Sequence, residues 1–395
     1  MIQMISDNQI FLLQNGDAYF PALEAALDRA EHEIYLVSYI FQNDKTGERI
    51  AQALKRAGLR GVKTYVLIDG FGSNSLPETM FDFFNAAGVM VIKYRPKISP
   101  WTLRRHRLRR LHRKIVVVDE KIAFVGGINI IDDIDMSGQI SPRYDYAVSV
   151  EGPLVGEIHA STRRLWLRVA WKWSHLRPYL GRNKEGQALL TESRGNMRAA
   201  FLVRNNIRHR RDIENAYLQA IEQSQFEIIL ANAYFLPGLK FRHALLDAAG
   251  RGVRVVLLLQ GRMEYPLLNY ASRALYGSFL DAGIKIFEYH KSFMHAKVAV
   301  IDEHWVTVGS SNLDPFSMLL SLEANVVVDD EKFAKTLKQS LGEAMNDGAR
   351  QIKQNKWRTQ PLGLRMASWL CYSLARLMTG MAGYAPGKDP GEIPL

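Results

Sequence analysis

The spacing His112-x-Lys114-x4-Asp119-x9-Asn129 is repeated, offset for offset, as His295, Lys297, Asp302 and Asn312. At ordinary residue frequencies one such match is expected on the order of once per million starting points, so two within 395 residues mark a duplicated unit. A chain that carries its chemistry twice is constrained to fold twice, and the flanking patterns agree. A helix near Ala22 to Ala30 precedes a strand from Glu33 to Phe41, as a helix near Ile213 to Ser224 precedes a strand from Glu227 to Phe235. Helix Arg49 to Ala57 leads to strand Val62 to Ile68, matched by Phe241 to Ala249 and Val253 to Leu259, and third strands end at Tyr94 and Tyr289.

Strands alternating with helices of ordinary length predict an α/β chain: two similar α/β/α halves with mixed sheets, packed as a pseudo-dimer. The expected divisions are 1–155 for the first half, 156–200 for an amphipathic connection, 201–345 for the second half and 346–395 for an amphipathic tail. The halves differ in one stretch. Tyr94 to His112 spans 18 residues where Tyr289 to His295 spans six, and the extra 12 carry a basic run.

Each His-x-Lys is followed by an apolar β-branched run, Ile115 to Val118 or Val298 to Ile301, that reads as a buried strand. Residues two apart on a strand share a face, so His112 projects with Lys114 and His295 with Lys297. Asp119-Glu-Lys121 and Asp302-Glu-His304 read as hairpin turns, and the return strands bring Asn129 and Asn312 back near the start of each hairpin. A phosphodiester in transfer needs donors on its nonbridging oxygens, an in-line nucleophile and an acid for the leaving group. Each motif offers a lysine, an amide and an imidazole; two imidazoles facing one phosphate divide the work of nucleophile and proton carrier. Asp119 and Asp302 stand as candidates for a direct catalytic part, with backbone capping at a turn as the alternative.

The net charge is +11, and nine Lys or Arg with no acid between Arg95 and Lys114 concentrate it. Such a stretch points to phosphates, of nucleic acid or of anionic lipid. Cys371 is the single cysteine, so no internal disulfide is expected. No basic leader with a long apolar run opens the sequence, and no charge-free apolar run reaches about 18 residues, so neither a secretory signal nor a membrane-spanning helix is expected.

Duplicated H-x-K-x4-D motifs with Asn-bearing, Gly-rich follow-ups resemble the phospholipase D superfamily over about residues 8 to 345. Gly309-Ser-Ser-Asn-Leu-Asp-Pro315, Leu322-Glu-Ala-Asn325 and Tyr144-Asp-Tyr-Ala147 followed by Glu151-Gly-Pro153 are similar to bacterial cardiolipin synthases, of the short form without N-terminal membrane helices. The resemblance implies one active site at the interface of the halves and a phosphatidyl-histidine intermediate, with no metal or other cofactor. Catalytic roles fall to His112, Lys114, Asp119, His295, Lys297 and Asp302, and phosphate binding to Asn129 and Asn312. An acid some 30 residues beyond each motif histidine is implied to orient its ring; by position these are Asp145 and Glu323. Phe316 departs from the arginine common in long-form relatives, and Gly127-Ile128 differs from Ser310-Ser311, which suggests unequal histidines.

Because the superfamily includes nucleases, the partner is argued separately. Trp101, Leu103, Leu108 and Leu111 interleave with Arg104, Arg105, Arg107, Arg109 and Arg110; Arg163 to Trp173 mixes three tryptophans with four cations; and Lys353 to Arg376 has no acid among Trp357, Leu362, Leu364, Met366, Trp369, Leu370, Tyr372 and Leu374. Tryptophans and cations on amphipathic segments suit the headgroup boundary of an anionic bilayer better than a stacking groove for bases. The expectation is a cardiolipin synthase, a peripheral enzyme on the cytoplasmic face of a bacterial inner membrane. It would move a phosphatidyl group from phosphatidylglycerol to a second lipid hydroxyl, without a nucleic-acid partner. A hydrolytic phospholipase D, a nuclease of the same superfamily and a noncatalytic lipid-binding scaffold are the alternatives; oligomeric state stays open.

Overall fold

The computed structural model of the chain describes residues 2–96, 109–132, 142–171, 192–205 and 208–381. The first half runs β1 (Ile5–Gln14), β2 (Glu33–Ser38), β3 (Lys63–Asp69), β4 (Met90–Tyr94), β5 (Arg110–Leu111), β6 (Ile115–Val118), β7 (Ile122–Gly126) and β8 (Tyr146–Glu151). The second runs β9 (Met197–Arg204), β10 (Glu227–Asn232), β11 (Arg254–Gln260), β12 (Lys285–Tyr289), β13 (Lys297–Ile301), β14 (Trp305–Gly309) and β15 (Ser321–Asp329), followed by β16 (Ala349–Ile352). In space the order is β16-β12-β11-β10-β13-β14-β15-β9-β1-β8-β7-β6-β2-β3-β4, with β5 set against β15. The seven-strand order β4-β3-β2-β6-β7-β8-β1 is mirrored by β12-β11-β10-β13-β14-β15-β9, so the halves are not merely packed: β1 and β9 pair antiparallel and fuse two sheets into one.

Both faces of this sheet are covered, which is why its strands read as unbroken apolar runs. On one face lie helices Asn15–Asp28, Lys45–Leu59 and Glu78–Asn85 in the first half, and Asp212–Gln223, Leu239–Gly250, Pro266–Arg273 and Tyr276–Asp281 in the second. On the other, helices Leu154–Ala170 and Glu331–Gly348 share one core that spans both halves. Alternation sorts the side chains: Ile115 and Val117 face the shared core while Val116 and Val118 face the outer one.

The hairpins form as expected, and their tips explain the acids. Asp119 and Glu120 have φ of 51° and 54°, and Asp302 and Glu303 of 49° and 55°, the left-handed pair that matches the twist of a tight hairpin. Residues other than glycine adopt this at a cost of about 1–2 kcal/mol each, so something must hold them there.

One expectation is corrected. The stretch Arg163 to Trp173, read as a membrane-facing connection, begins as a core helix: Leu154–Ala170 buries Leu165, Trp166 and Val169, and Trp166 packs on Tyr65 with ring centroids 4.6 Å apart. The boundary at 156 therefore cuts a helix that belongs to the packed body. Trp171 is exposed, and Trp173 lies outside the described residues, as do Trp101 to Leu108 of the basic insert. Trp166→Ala should lower unfolding stability in urea by about 3–5 kcal/mol while Trp171→Ala changes it by less than about 0.5 kcal/mol; equal losses would contradict the core assignment.

Candidate active site

The segment before each histidine is captured by the opposite half. β5 runs parallel to the start of β15, and the His112 amide donates to the Leu322 carbonyl (3.0 Å). Symmetrically, Tyr144 bridges to Met294, and the His295 amide donates to the Tyr144 carbonyl (2.8 Å). The acids next in sequence, Glu323 and Asp145, are thereby set beside the other half's histidine. Glu323 Oε2 lies 3.0 Å from His112 Nδ1, and Asp145 Oδ2 lies 2.6 Å from His295 Nδ1. This corrects the reading that each acid serves the histidine of its own motif. In both cases a carboxylate that accepts the Nδ1 proton leaves Nε2 as the reactive nitrogen.

The lysines project with their histidines and fold back on them. Lys114 Nζ donates to the His112 carbonyl (2.7 Å), and Lys297 Nζ to the His295 carbonyl, with Asp145 Oδ2 3.7 Å away. Both ammonium groups are buried, and burial drives Lys114 down to about 7 and Lys297 to about 8, while Glu323 and Asp145 oppose the shift. His112 is lowered by burial, with Glu323 opposing; His295 is held well below the ordinary imidazole range by burial and by Lys297, Arg143 and Lys114. Burial raises Asp145 to about 6. Lys297 acts on His112 and Lys114 on His295, so the two motifs form one electrostatic site between the halves.

Asn129 and Asn312 are buried where the return strands end. Asn129 Oδ1 accepts from the Ile40 amide (3.2 Å), fixing its side chain; Asn312 Oδ1 is buried with no partner among the described residues. Asp119 and Asp302 are placed elsewhere, at the far ends of β6 and β13. Asp119 accepts the amides of Glu31, His32 and Glu33, and Asp302 those of Gln225, Phe226 and Glu227, at 2.7–2.8 Å. These carboxylates hold the left-handed hairpin tips and start β2 and β10, so the candidacy for a direct catalytic part gives way to the capping alternative.

Several contributors escaped the sequence reading. Arg113, between His112 and Lys114, is buried and donates through Nε to the Glu323 carbonyl (3.1 Å). Asp69 accepts the Leu111 amide (2.8 Å), whereas its counterpart Gln260 donates to the Met294 carbonyl (3.2 Å), so both pin the residue preceding a histidine. Tyr39 lies edge-on to His112 and Tyr234 to His295. The expected inequality also has a structural cause. Ser310 Oγ donates to Glu323 Oε2 (2.5 Å), but at Gly127 a Cβ would stand 2.3 Å from Asp145 Oδ1, so the shorter acid requires glycine. Burial of Asp69 and polar pairing of Ser310 carry no periodic signal that a sequence could show.

Asp119→Ala should cost about 2 kcal/mol of stability through its orphaned amides while turnover per folded molecule stays within about threefold of the parent. Lys114→Met should lower turnover roughly 10²–10³-fold. Chemical unfolding and initial rates on the same preparations separate the two; a comparable collapse in turnover for Asp119→Ala would restore its catalytic candidacy.

Comparison with known proteins agrees with this geometry. The family described as cardiolipin synthase, PLD-like domain, matches residues 23–165 and 217–345, one segment per half. Cardiolipin synthase B of Shigella flexneri is 38% identical over 393 residues, covering 97% of this chain and 91% of that protein, and the Escherichia coli K12 protein of the same name is 37% identical at the same coverage. Cardiolipin synthase A of Pseudomonas putida GB-1 is 29% identical over 92% of this chain and 74% of its own length. Among solved structures, phosphatidylserine synthase of Haemophilus influenzae superposes with a TM-score of 0.72 over 96% of this chain and 97% of that one, at 13% identity, which speaks to the fold alone. Two duplicated motifs, their convergence on one interface and near full-length likeness to named relatives have one meaning: the chain belongs to the PLD-like cardiolipin synthase family.

Proposed function

We propose that the protein is a peripheral membrane phosphatidyltransferase that makes cardiolipin from phosphatidylglycerol. The observation that carries this reading is the pair of histidines, each braced at Nδ1 by the other half's acid and each with a buried lysine folded back on it. Following the tendency of the superfamily, His112 Nε2 attacks phosphorus and His295 Nε2 gives its proton to the departing glycerol oxygen. A phosphorus–nitrogen bond forms as the phosphorus–oxygen bond breaks. The accepting lipid's hydroxyl then returns a proton to His295 as its oxygen displaces His112. Lys114, Lys297, Asn129 and Asn312 hold the nonbridging oxygens, and the phosphate's negative charge restores proton affinity to the lysines and to His295. The arginine-rich insert adjoining His112 gathers anionic lipid beside it.

The C-terminal helix Leu362–Met381 supports the membrane reading. Its Ser368 and Ala375 are buried and it packs on helix Pro266–Arg273, while Leu362, Met366, Trp369, Leu370 and Leu377 stay exposed at helical spacing. An apolar stripe with Arg365 and Arg376 on the same helix suits an anionic bilayer surface. No helix among the described residues is long and apolar enough to cross a membrane.

Incubation with phosphatidylglycerol vesicles and EDTA should yield cardiolipin and free glycerol, lost in His112→Ala and His295→Ala. Phosphatidate as sole lipid product would favour hydrolysis, and DNA cleavage with lipid untouched a nuclease. Because Lys114 and Lys297 titrate near 7 and 8, kcat/KM for the anionic substrate should fall as pH rises through that range, and kcat should fall only at higher pH, where the bound phosphate has raised both lysines. A kcat/KM flat from pH 6.5 to 9 would rule out this charge scheme. Met366→Glu with Leu370→Glu should weaken vesicle binding at least about tenfold and change turnover in detergent far less; undiminished vesicle binding would remove the helix as an anchor.

A further inference from the structure

Residues 144–146 serve His295 three times. The Tyr144 carbonyl accepts the His295 amide, Asp145 Oδ2 meets Nδ1, and the Tyr146 amide donates to Asp145 Oδ1 (2.8 Å), which fixes the carboxylate from its other oxygen. Alternation along the strand sends Asp145 to the site and its two neighbours the other way, into the core shared by the halves, where both are buried. A tyrosine buried in a core needs a partner for its hydroxyl, and here both tyrosines find the same residue. The Tyr146 hydroxyl lies 2.6 Å from Ser340 Oγ, the Tyr144 hydroxyl meets that of Tyr146 and lies 3.1 Å from the Ser340 carbonyl, and Ser340 Oγ donates to Gln14 Oε1 (2.9 Å). Each hydroxyl has one proton to give, so one direction satisfies every member: Ser340 gives its proton to Gln14, Tyr146 to Ser340, and Tyr144 to Tyr146 or the Ser340 carbonyl. Ser340 sits on helix Glu331–Gly348, in the same half as His295, so the network fastens the strand of Asp145 to the half it serves. The surroundings of Glu323 are built otherwise. Its neighbours Leu322 and Ala324 are apolar, and Ser310 Oγ steadies the carboxylate directly, a contact that Gly127 cannot give Asp145.

We infer that Tyr144, Tyr146 and Ser340 are positioning residues that hold Asp145, and through it the ring of His295, from the side away from the substrate. The inference rests on the proposed division of labour, in which His295 gives its proton to the leaving alcohol. The three side chains lie in the shared core and act only through the strand that carries the acid. Loosening that strand lets the Asp145 carboxylate drift from Nδ1, and the ring then no longer presents Nε2 along one direction. Proton delivery depends on that direction, whereas attack by His112, which is braced by Glu323 and Ser310, does not.

The test uses the full chain in mixed micelles and compares the first turnover on two substrates: phosphatidylglycerol, whose glycerol must be protonated to leave, and phosphatidyl-p-nitrophenol, whose p-nitrophenolate departs without a proton. Ser340→Ala should slow the release of glycerol about tenfold and that of p-nitrophenolate by less than about twofold. If Ser340→Ala does not fold, as judged by its melting curve, Tyr146→Phe reads the same comparison. Equal slowing on both substrates, or none on either, overturns the inference. His295→Ala is the reference. If it slows both substrates equally, the assignment of His295 as proton donor falls and the inference with it; if it spares p-nitrophenolate while Ser340→Ala does not discriminate, the assignment stands and the role of the network falls.

Discussion

Two hydrogen bonds across the junction of the halves, His112 amide to Leu322 carbonyl and His295 amide to Tyr144 carbonyl, govern what the rest of the molecule can do. They are short-range contacts between chain segments some 150 to 210 residues apart, and they exist only because β1 and β9 have joined two sheets edge to edge. Once they form, the next residue along each partner strand is the acid that reaches across to Nδ1. Ring tautomer, ring direction and the facing of the two histidines all follow from backbone pairing, which is stiffer than any arrangement of long side chains.

The same junction explains the electrostatics. Closing the sheet buries Lys114 and Lys297 and most of both imidazoles, so cations are concentrated where little water reaches. Each lysine is more easily deprotonated than in water, and in the proposed reaction a phosphate bound beside them relieves that penalty, so that substrate affinity is stored as unfavourable charge in the folded protein. The acids are spent on the histidines: Asp145 is itself pushed upward by burial, and Ser310 steadies Glu323 with a hydroxyl where Asp145 has only the space left by Gly127.

Much of this was legible in the sequence. The offsets of His, Lys and Asn, the hairpins and most helices follow from local periodicity, and the structure places them within a few residues. Three features were not. β1 and β9 gave no signal, because Ile5–Gln14 mixes Ser6, Asp7 and Asn8 into a strand whose role is to meet the other half. The crossing of Asp145 and Glu323 was hidden because linear spacing names the acid but not the half it serves. Trp166 misled for a different reason: a tryptophan amid arginines satisfies a membrane pattern, yet the helix turns that residue inward onto Tyr65 and leaves Arg164 and Arg168 exposed.

The crossed bracing also orders events in time. While the first half is being synthesised, His112 has its lysine and asparagine but lacks the carboxylate that fixes its ring, since Glu323 lies 211 residues later. A nascent chain that meets lipid at that stage holds a histidine without a set tautomer and without a proton-carrying partner. In the proposed reaction, covalent capture at His112 therefore waits until the second half has folded against the first.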